Sequence, residues 1–481
     1  MAGLRTLHLK KVHCGHNEMA VKKKQEILID ITGMAFGGRG IAKVDGYTVF
    51  VDRAVPGDRV VARVLKKKKA YAEARVLEMV APSPDRVEAP CRYSGFCGGC
   101  KWQFLDYEKQ LAYKRSHVLE AVERIGGIAG VWVHETIPSE NVFGYRNKME
   151  FSCSDRRWLL PEELGNPFVE KSFALGLHVP GTFDKIIDID GCLLHPSQGN
   201  RILTDVKAYM KNSGFPAYGI KSHEGFWRFL MLRHSVAHDQ WLVNLVTSED
   251  IPEAVMPLAD KLMAGSGDIA GVVNNVSGKK AAISVGDFEK HLAGQRVLKE
   301  HLGPFVFEIS ANSFFQTNTR GAERLYDTVA DYAGLTGGEF VVDLYSGTGT
   351  IAIWLSARAG KVLGLEIVES AVVDAGNNCI RNNVVNCRFT AGDIRKSISS
   401  IDHRPDVVVI DPPRAGMHKE VAEAVTLLGA DRIVYVSCNP ATLARDLAIL
   451  STRYGIDEIQ PVDMFPHTYH IESVAKLTKK N

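Results

Sequence analysis

The stretch Phe340-Val-Val-Asp-Leu-Tyr-Ser-Gly-Thr-Gly-Thr-Ile-Ala-Ile-Trp354 decides how this chain is read. A short apolar run ends in Asp343, a turn carries Gly347 and Gly349, and the apolar residues beyond it take up helical spacing. Small residues in such a turn let the backbone approach a ligand closely. The phosphate-binding fingerprint is not met, because a third glycine is missing and no lysine follows. Outward from this turn, Val362-Leu-Gly-Leu-Glu366 reads as the next strand, ending in an acid placed to hold ribose hydroxyls, and Asp393 follows the strand after it. Val407-Val-Val-Ile410 and Ile433-Val-Tyr-Val436 read as parallel strands buried on both faces. The first runs into Asp411-Pro-Pro-Arg414 and the second into Ser437-Cys438-Asn439-Pro440, where the proline forbids further strand and a helical pattern begins. Asp411 and Cys438 therefore fall at the carboxyl edge of an α/β sheet, where such sheets place their ligands. A lone cysteine there is ordinarily structural; the company of the other two stretches reverses that expectation.

The ladder of strand-end acids resembles the S-adenosylmethionine (SAM) site of a Rossmann-like methyltransferase. In amino-group methyltransferases an aromatic residue usually follows the two prolines; here the position is Arg414. That points to a carbon target attacked through a cysteine. Five motifs in order, Phe314-Phe-Gln316-Thr-Asn318, Asp343 to Gly349, Asp411-Pro-Pro-Arg414, Ser437-Cys438-Asn439-Pro440 and His470-Ile-Glu472-Ser-Val, resemble the RNA uracil-C5 methyltransferases. The resemblance is to the TRAM-containing, 23S rRNA type that carries a [4Fe–4S] cluster. It implies Cys438 as the nucleophile that adds to uracil C6 and Glu472 as the base that removes the C5 proton. It also implies Gln316, Tyr345, Gly347, Glu366, Asp393 and Asp411 as the SAM-binding set. Ser346 stands where relatives often have cysteine, and Thr350 where many have asparagine.

At 481 residues the chain is expected to form about three domains. No apolar run reaches membrane-spanning length, so no membrane partner is expected. Nine irregularly spaced cysteines fit a reducing cytoplasm better than a disulfide framework. Residues 1–20 lack the apolar core of a signal peptide and are expected to be an unstructured tail, with Met19 as an alternative start. No internal repeat and no obligate protein partner is evident. Residues 1–82 hold 16 Lys and Arg against 8 Asp and Glu, while the remainder holds 42 against 48, so the basic surplus lies at the N-terminus.

Residues 21–82 read as a small OB-like barrel, with strands over 26–31, 46–51, 59–65 and 71–80 and a glycine-rich turn over 33–40. The pattern resembles a TRAM domain, which implies RNA as partner. After the hinge Ala81-Pro-Ser-Pro84 comes Cys91-Arg-Tyr-Ser-Gly-Phe-Cys97-Gly-Gly-Cys100, three thiols in a glycine-rich turn able to wrap one metal centre. The spacing is not that of radical-SAM enzymes. The resemblance implies a [4Fe–4S] cluster with Cys192 as fourth ligand; Cys153 competes for that place, and zinc is not excluded by the residues themselves.

A helix is expected over 106–125, capped by Asp106 and stopped by Gly126-Gly127, and the resemblance implies that this segment packs back on the catalytic domain. The remainder of a central α/β RNA-binding domain over 83–310 follows, with strands over 229–235, 241–246 and 271–276 and helices over 202–210 and 252–263. Arg146 and Lys148 match the family's substrate-side basic residues. The methyltransferase domain spans 311–481. A uracil in structured RNA must be flipped out before a thiolate reaches C6. The expected activity is 5-methyluridine formation in 23S rRNA; tRNA is the alternative substrate, and a non-catalytic RNA-binding scaffold is the alternative of another class.

Overall fold

A computed structural model describes residues 21–265 and 267–480; the expectation for residues 1–20 lies outside them. The chain divides into two compact units, up to Arg86 and from Val87 onward.

In the first unit, Glu26–Asp30 and Gly33–Ala35 are successive halves of one bent run. The first half pairs with Arg59–Lys67, the second with Arg39–Val44. Tyr47–Asp52 and Tyr71–Ala81 complete the ring of pairings, and the six-stranded sheet thereby returns on itself. Alternate residues such as Ile27, Ile29, Val49, Val51, Val60, Ala62 and Ala72 point inward to fill it. The stretch 33–40, expected as a turn, is instead a hairpin: only Phe36, Gly37 and Gly38 turn, and the residues on either side pair. Its small residues hid a strand alternation.

The second unit holds two eight-stranded sheets. The central one includes Lys148–Ser154, Trp227–Ser235, Gln240–Thr247 and Ile269–Val276, with the helices Ser197–Asn212 and Pro252–Gly265. Trp227, Leu230, Trp241 and Val243 form its core with Leu203, Val206 and Leu258 of the helices.

The C-terminal sheet runs Cys387–Ala391, Lys361–Glu366, Phe340–Leu344, Val407–Ile410, Arg432–Ser437, Glu472–Lys479, Tyr454–Val462 and Trp132–Val133. The first five are parallel and Glu472–Lys479 is antiparallel to its neighbours. The apolar runs of the sequence are explained by burial on both faces. Val342, Leu344, Val408, Ile410 and Ile433 face one core, while Val341, Val407, Val409, Val434 and Val436 face the other. The chain leaves Phe340–Leu344 toward Lys361–Glu366 on one side and later returns to Val407–Ile410 on the other, so the strand order reverses there and a crevice opens at the carboxyl ends.

Asp106 caps the helix Tyr107–Arg124 by accepting from the N–H groups of Glu108 and Lys109. Val118, Ala121 and Val122 of this helix join the same core as Leu443, Ala444 and Leu447 of the helix Pro440–Leu450. Among the described residues no helix is long and apolar enough to cross a membrane.

Candidate active site

A single cavity of about 1100 Å³ opens at the reversal point and continues to the cysteine-bearing segments. Four strand ends and their turns build its wall on the C-terminal sheet. After Phe340–Leu344 the chain turns so sharply that Tyr345 takes φ +65°, a conformation costly for a non-glycine residue and found where a site demands it. Gly347 follows at φ +53°, and a Cβ there would meet no protein atom within 4 Å, which leaves a ligand free to lie against the backbone. At Gly349, φ +80°, a Cβ would stand 2.7 Å from the Phe389 ring.

Asp343 is fully buried, and neither carboxyl oxygen makes a hydrogen bond of good geometry within the protein. Burial, and after it the charge of Asp411, holds this carboxyl well above the usual range. The Ala352 N–H of the following helix acts in the opposite direction, and a buried acid on a cavity wall with so little satisfaction leaves room for a donor from a ligand. Glu366 is the converse case: its carboxylate accepts from the N–H groups of Gly347 (3.0 Å), Ile367 (2.8 Å) and Val368 (2.9 Å), so it is held rigidly at the crevice. The Tyr326 hydroxyl lies 2.9 Å from that of Thr350, and Gln316 shares the cavity wall with both.

The Arg432–Ser437 and Glu472–Lys479 strands pair with Ser437 opposite Ser473. Antiparallel register therefore brings Cys438 and Glu472 together where the ladder ends. The sequence separates them by 34 positions, and only the sheet makes them neighbours. Burial, then the adjacent Glu472, pushes the Cys438 thiol up to about 11, while Arg414 acts in the opposite direction. Glu472 is raised well above the usual carboxyl range by burial and then by Asp411, again opposed by Arg414. Asp411 itself is raised to about 7 by burial. Asn439 caps the following helix through the Ala441 N–H, and its amide donates to the Arg414 carbonyl (3.2 Å), fixing the cysteine turn against the Asp-Pro-Pro loop.

Of the residues singled out in the sequence, Cys438, Glu472, Gln316, Tyr345, Gly347, Glu366, Asp411 and Arg146 line this one cavity. Asp393 and Lys148 are not among its lining residues. Asp393 instead caps the short helix Ile394–Ser397 and forms an ion pair with Arg395 (2.6 Å). Lys148 is half-buried in its strand, its pKa lowered by burial and then by Arg233. Residues not assigned in the sequence also line the wall, chiefly Asp343, His470, Phe465 and Thr468. Asp343 had a signal, an acid directly before the glycine turn. Phe465 and Thr468 had none, since an irregular loop presents them.

Cys91, Cys97, Cys100 and Cys192 line the far end of the same cavity as free thiols. Burial raises all four, Cys97 to about 11 and Cys100 to about 12, and each of these two feels the charge of the other three or of two of them. Cys153 lies elsewhere, fully buried beside the Met210 sulfur (3.9 Å). Among the described residues no three of His, Cys, Asp or Glu could hold a metal ion as a group. The donor set of four soft, mutually interacting thiols nonetheless fits an iron–sulfur cluster, whose several metals spread their ligands farther apart than one ion does.

Residues 249–480 match the family model described as tRNA (uracil-5-)-methyltransferase, and residues 20–77 match the TRAM domain. The chain is 41% identical to an uncharacterized RNA methyltransferase of Chlorobaculum tepidum, over 95% of this chain and 97% of that one. It is 39% identical to one of Porphyromonas gingivalis, over 94% and 99%. Among solved structures it is similar to the Pyrococcus abyssi tRNA (uracil-54, C5)-methyltransferase in complex with S-adenosyl-L-homocysteine. That similarity has a TM-score of 0.73 and 30% identity, covering 94% of this chain and 100% of the other.

Proposed function

This chain belongs to the RNA (uracil-5-)-methyltransferase family, and from that premise we propose that it methylates C5 of uracil in RNA, using SAM, by covalent catalysis through Cys438. The observation that carries the reading is the register that sets Cys438 beside Glu472 at a crevice walled by the buried Asp343 and the clamped Glu366.

SAM, when bound, supplies the electrophilic methyl group. Glu366 is oriented to take ribose hydroxyls, Gly347 leaves room for the ligand along the backbone, and Asp343 offers a carboxyl to the amino end. Gln316, Tyr345 and Asp411 complete that side, with Asp393, which also caps a helix, as the last acid of the set. On the other side the Cys438 thiolate adds to uracil C6, and the electron pair of the C5–C6 double bond moves into an enolate. C5 then takes the methyl group and still bears its hydrogen. Glu472 removes that proton; its raised pKa makes its carboxylate a stronger base than an exposed one. The C5–C6 double bond re-forms and the sulfur leaves C6. Arg414 is the cation that favours the thiolate and the carboxylate alike.

Cys91, Cys97, Cys100 and Cys192 are read as ligands of a [4Fe–4S] cluster with a structural role. Two substrates fit this chemistry. The resemblance of the full motif set favours 23S rRNA, whereas the similarity to the Pyrococcus enzyme, which acts on tRNA, favours tRNA.

The test is release of tritium from C5-labelled uracil in unmodified rRNA and in tRNA transcripts, with and without SAM. SAM-dependent release, lost in Cys438→Ala, is the expected result, and the RNA that supports it names the substrate. No release from either RNA by a protein that binds both would overturn the reading in favour of a scaffold.

A further inference from the structure

The strands Tyr454–Val462 and Glu472–Lys479 pair with Val462 opposite Glu472, so the connection 463–471 is closed at its base by the residue read as the base. This loop presents Phe465, Thr468 and His470 to the cavity. It has no helix or strand of its own, and its backbone groups must find partners elsewhere.

They find several on the helix Tyr107–Arg124. Lys114 Nζ donates to Asp463 Oδ1 (2.6 Å) and to the Phe465 carbonyl (3.0 Å), and both charged side chains are completely buried. The Tyr107 hydroxyl donates to Asp463 Oδ2 (3.0 Å). Gln110 Oε1 accepts from the His467 N–H (2.8 Å), which helps hold His467 at φ +64°. A buried ion pair is a poor means of gaining stability, since an apolar pair of the same volume commonly does as well. Its attested use is to impose one arrangement on several. Here the pair sits one register step from Glu472 and at the root of the loop that leads to it.

We propose that Lys114, Asp463 and Tyr107 form a positioning device that holds loop 463–471, and with it the Glu472 carboxyl, in line with C5 of the target base. The inference rests on the reading of Glu472 as the base. Cys438 stands on a different turn, fastened independently through Asn439 to the Arg414 carbonyl. Loosening the device therefore slows proton removal while leaving thiolate addition and methyl transfer intact. The methylated covalent adduct should accumulate.

The test uses full-length Tyr107→Phe, Lys114→Gln and, as reference, Glu472→Gln. Each is incubated with SAM and the RNA on which the wild type releases tritium. Covalent RNA–protein adduct is read on denaturing gels, and the isotope effect is read with C5-deuterated uracil. Turnover in Tyr107→Phe and Lys114→Gln is expected to fall about 10-fold to 100-fold, the scale of a small misalignment. S-adenosylhomocysteine affinity should stay unchanged, while the adduct fraction and the C5 isotope effect rise. An adduct trapped in Glu472→Gln but in neither of the others overturns the positioning role alone. Absence of adduct in Glu472→Gln overturns the reading of the base and this proposal with it. Should Lys114→Gln fail to fold, Tyr107→Phe, which deletes only a hydroxyl, decides the matter.

Discussion

Cys438, proposed as the nucleophile, lies in an environment that favours the thiol. Its pKa is pushed up to about 11, so the thiolate is scarce at neutral pH and grows as pH rises toward that value. Alkylation of Cys438 by iodoacetamide, followed peptide by peptide by mass spectrometry, should accelerate about 10-fold per pH unit between pH 7 and pH 10. Arg414→Ala should slow it further at any pH in that window, because the charge that opposes the rise is gone. A rate independent of pH would show that the thiol is already ionised. Cys438→Ala should lower tritium release by at least about a thousandfold while SAM binding is spared, since the nucleophile acts only on the base.

At the scale of elements, the turn after Phe340–Leu344 has a restrictive geometry. Gly349→Val should weaken SAM binding by at least about 10-fold, measured by calorimetry. The left-handed backbone and the Phe389 ring at 2.7 Å leave no place for a branched side chain. This constraint was legible in the residues, because only a glycine turn follows an apolar strand in that way. The Lys114–Asp463 pair was not: 349 positions separate its members, and neither carries a local signal. Asp393 also has local partners, a neighbouring arginine and a helix start.

At the scale of the whole molecule, the barrel carries the basic surplus and has its own core. A chain lacking residues 1–86 should still bind SAM, but its RNA affinity should fall less steeply with salt, because fewer phosphate contacts release fewer counterions. An identical slope would remove the barrel from the RNA interface. The four cysteines come from segments about a hundred positions apart and meet on one cavity wall. Cys97→Ser, purified without oxygen, should lack the iron and sulfide expected of the wild type under the cluster proposal, and iron content equal to that of a wild type that holds iron would remove Cys97 from the ligand set.

The local chemistry of this protein is determined by its sequence alone: which runs are buried strands, where glycine and proline end them, and which acids, thiols and bases those ends carry. These follow from side-chain polarity and backbone sterics within a few residues, and so they can be read one stretch at a time. The tertiary structure alone decides which of these ends share a cavity. The antiparallel register sets Glu472 against Cys438, burial takes Asp343 out of water, and a distant helix clamps the loop between strands. Those outcomes depend on desolvation and on pairing across hundreds of residues, quantities that no local pattern encodes.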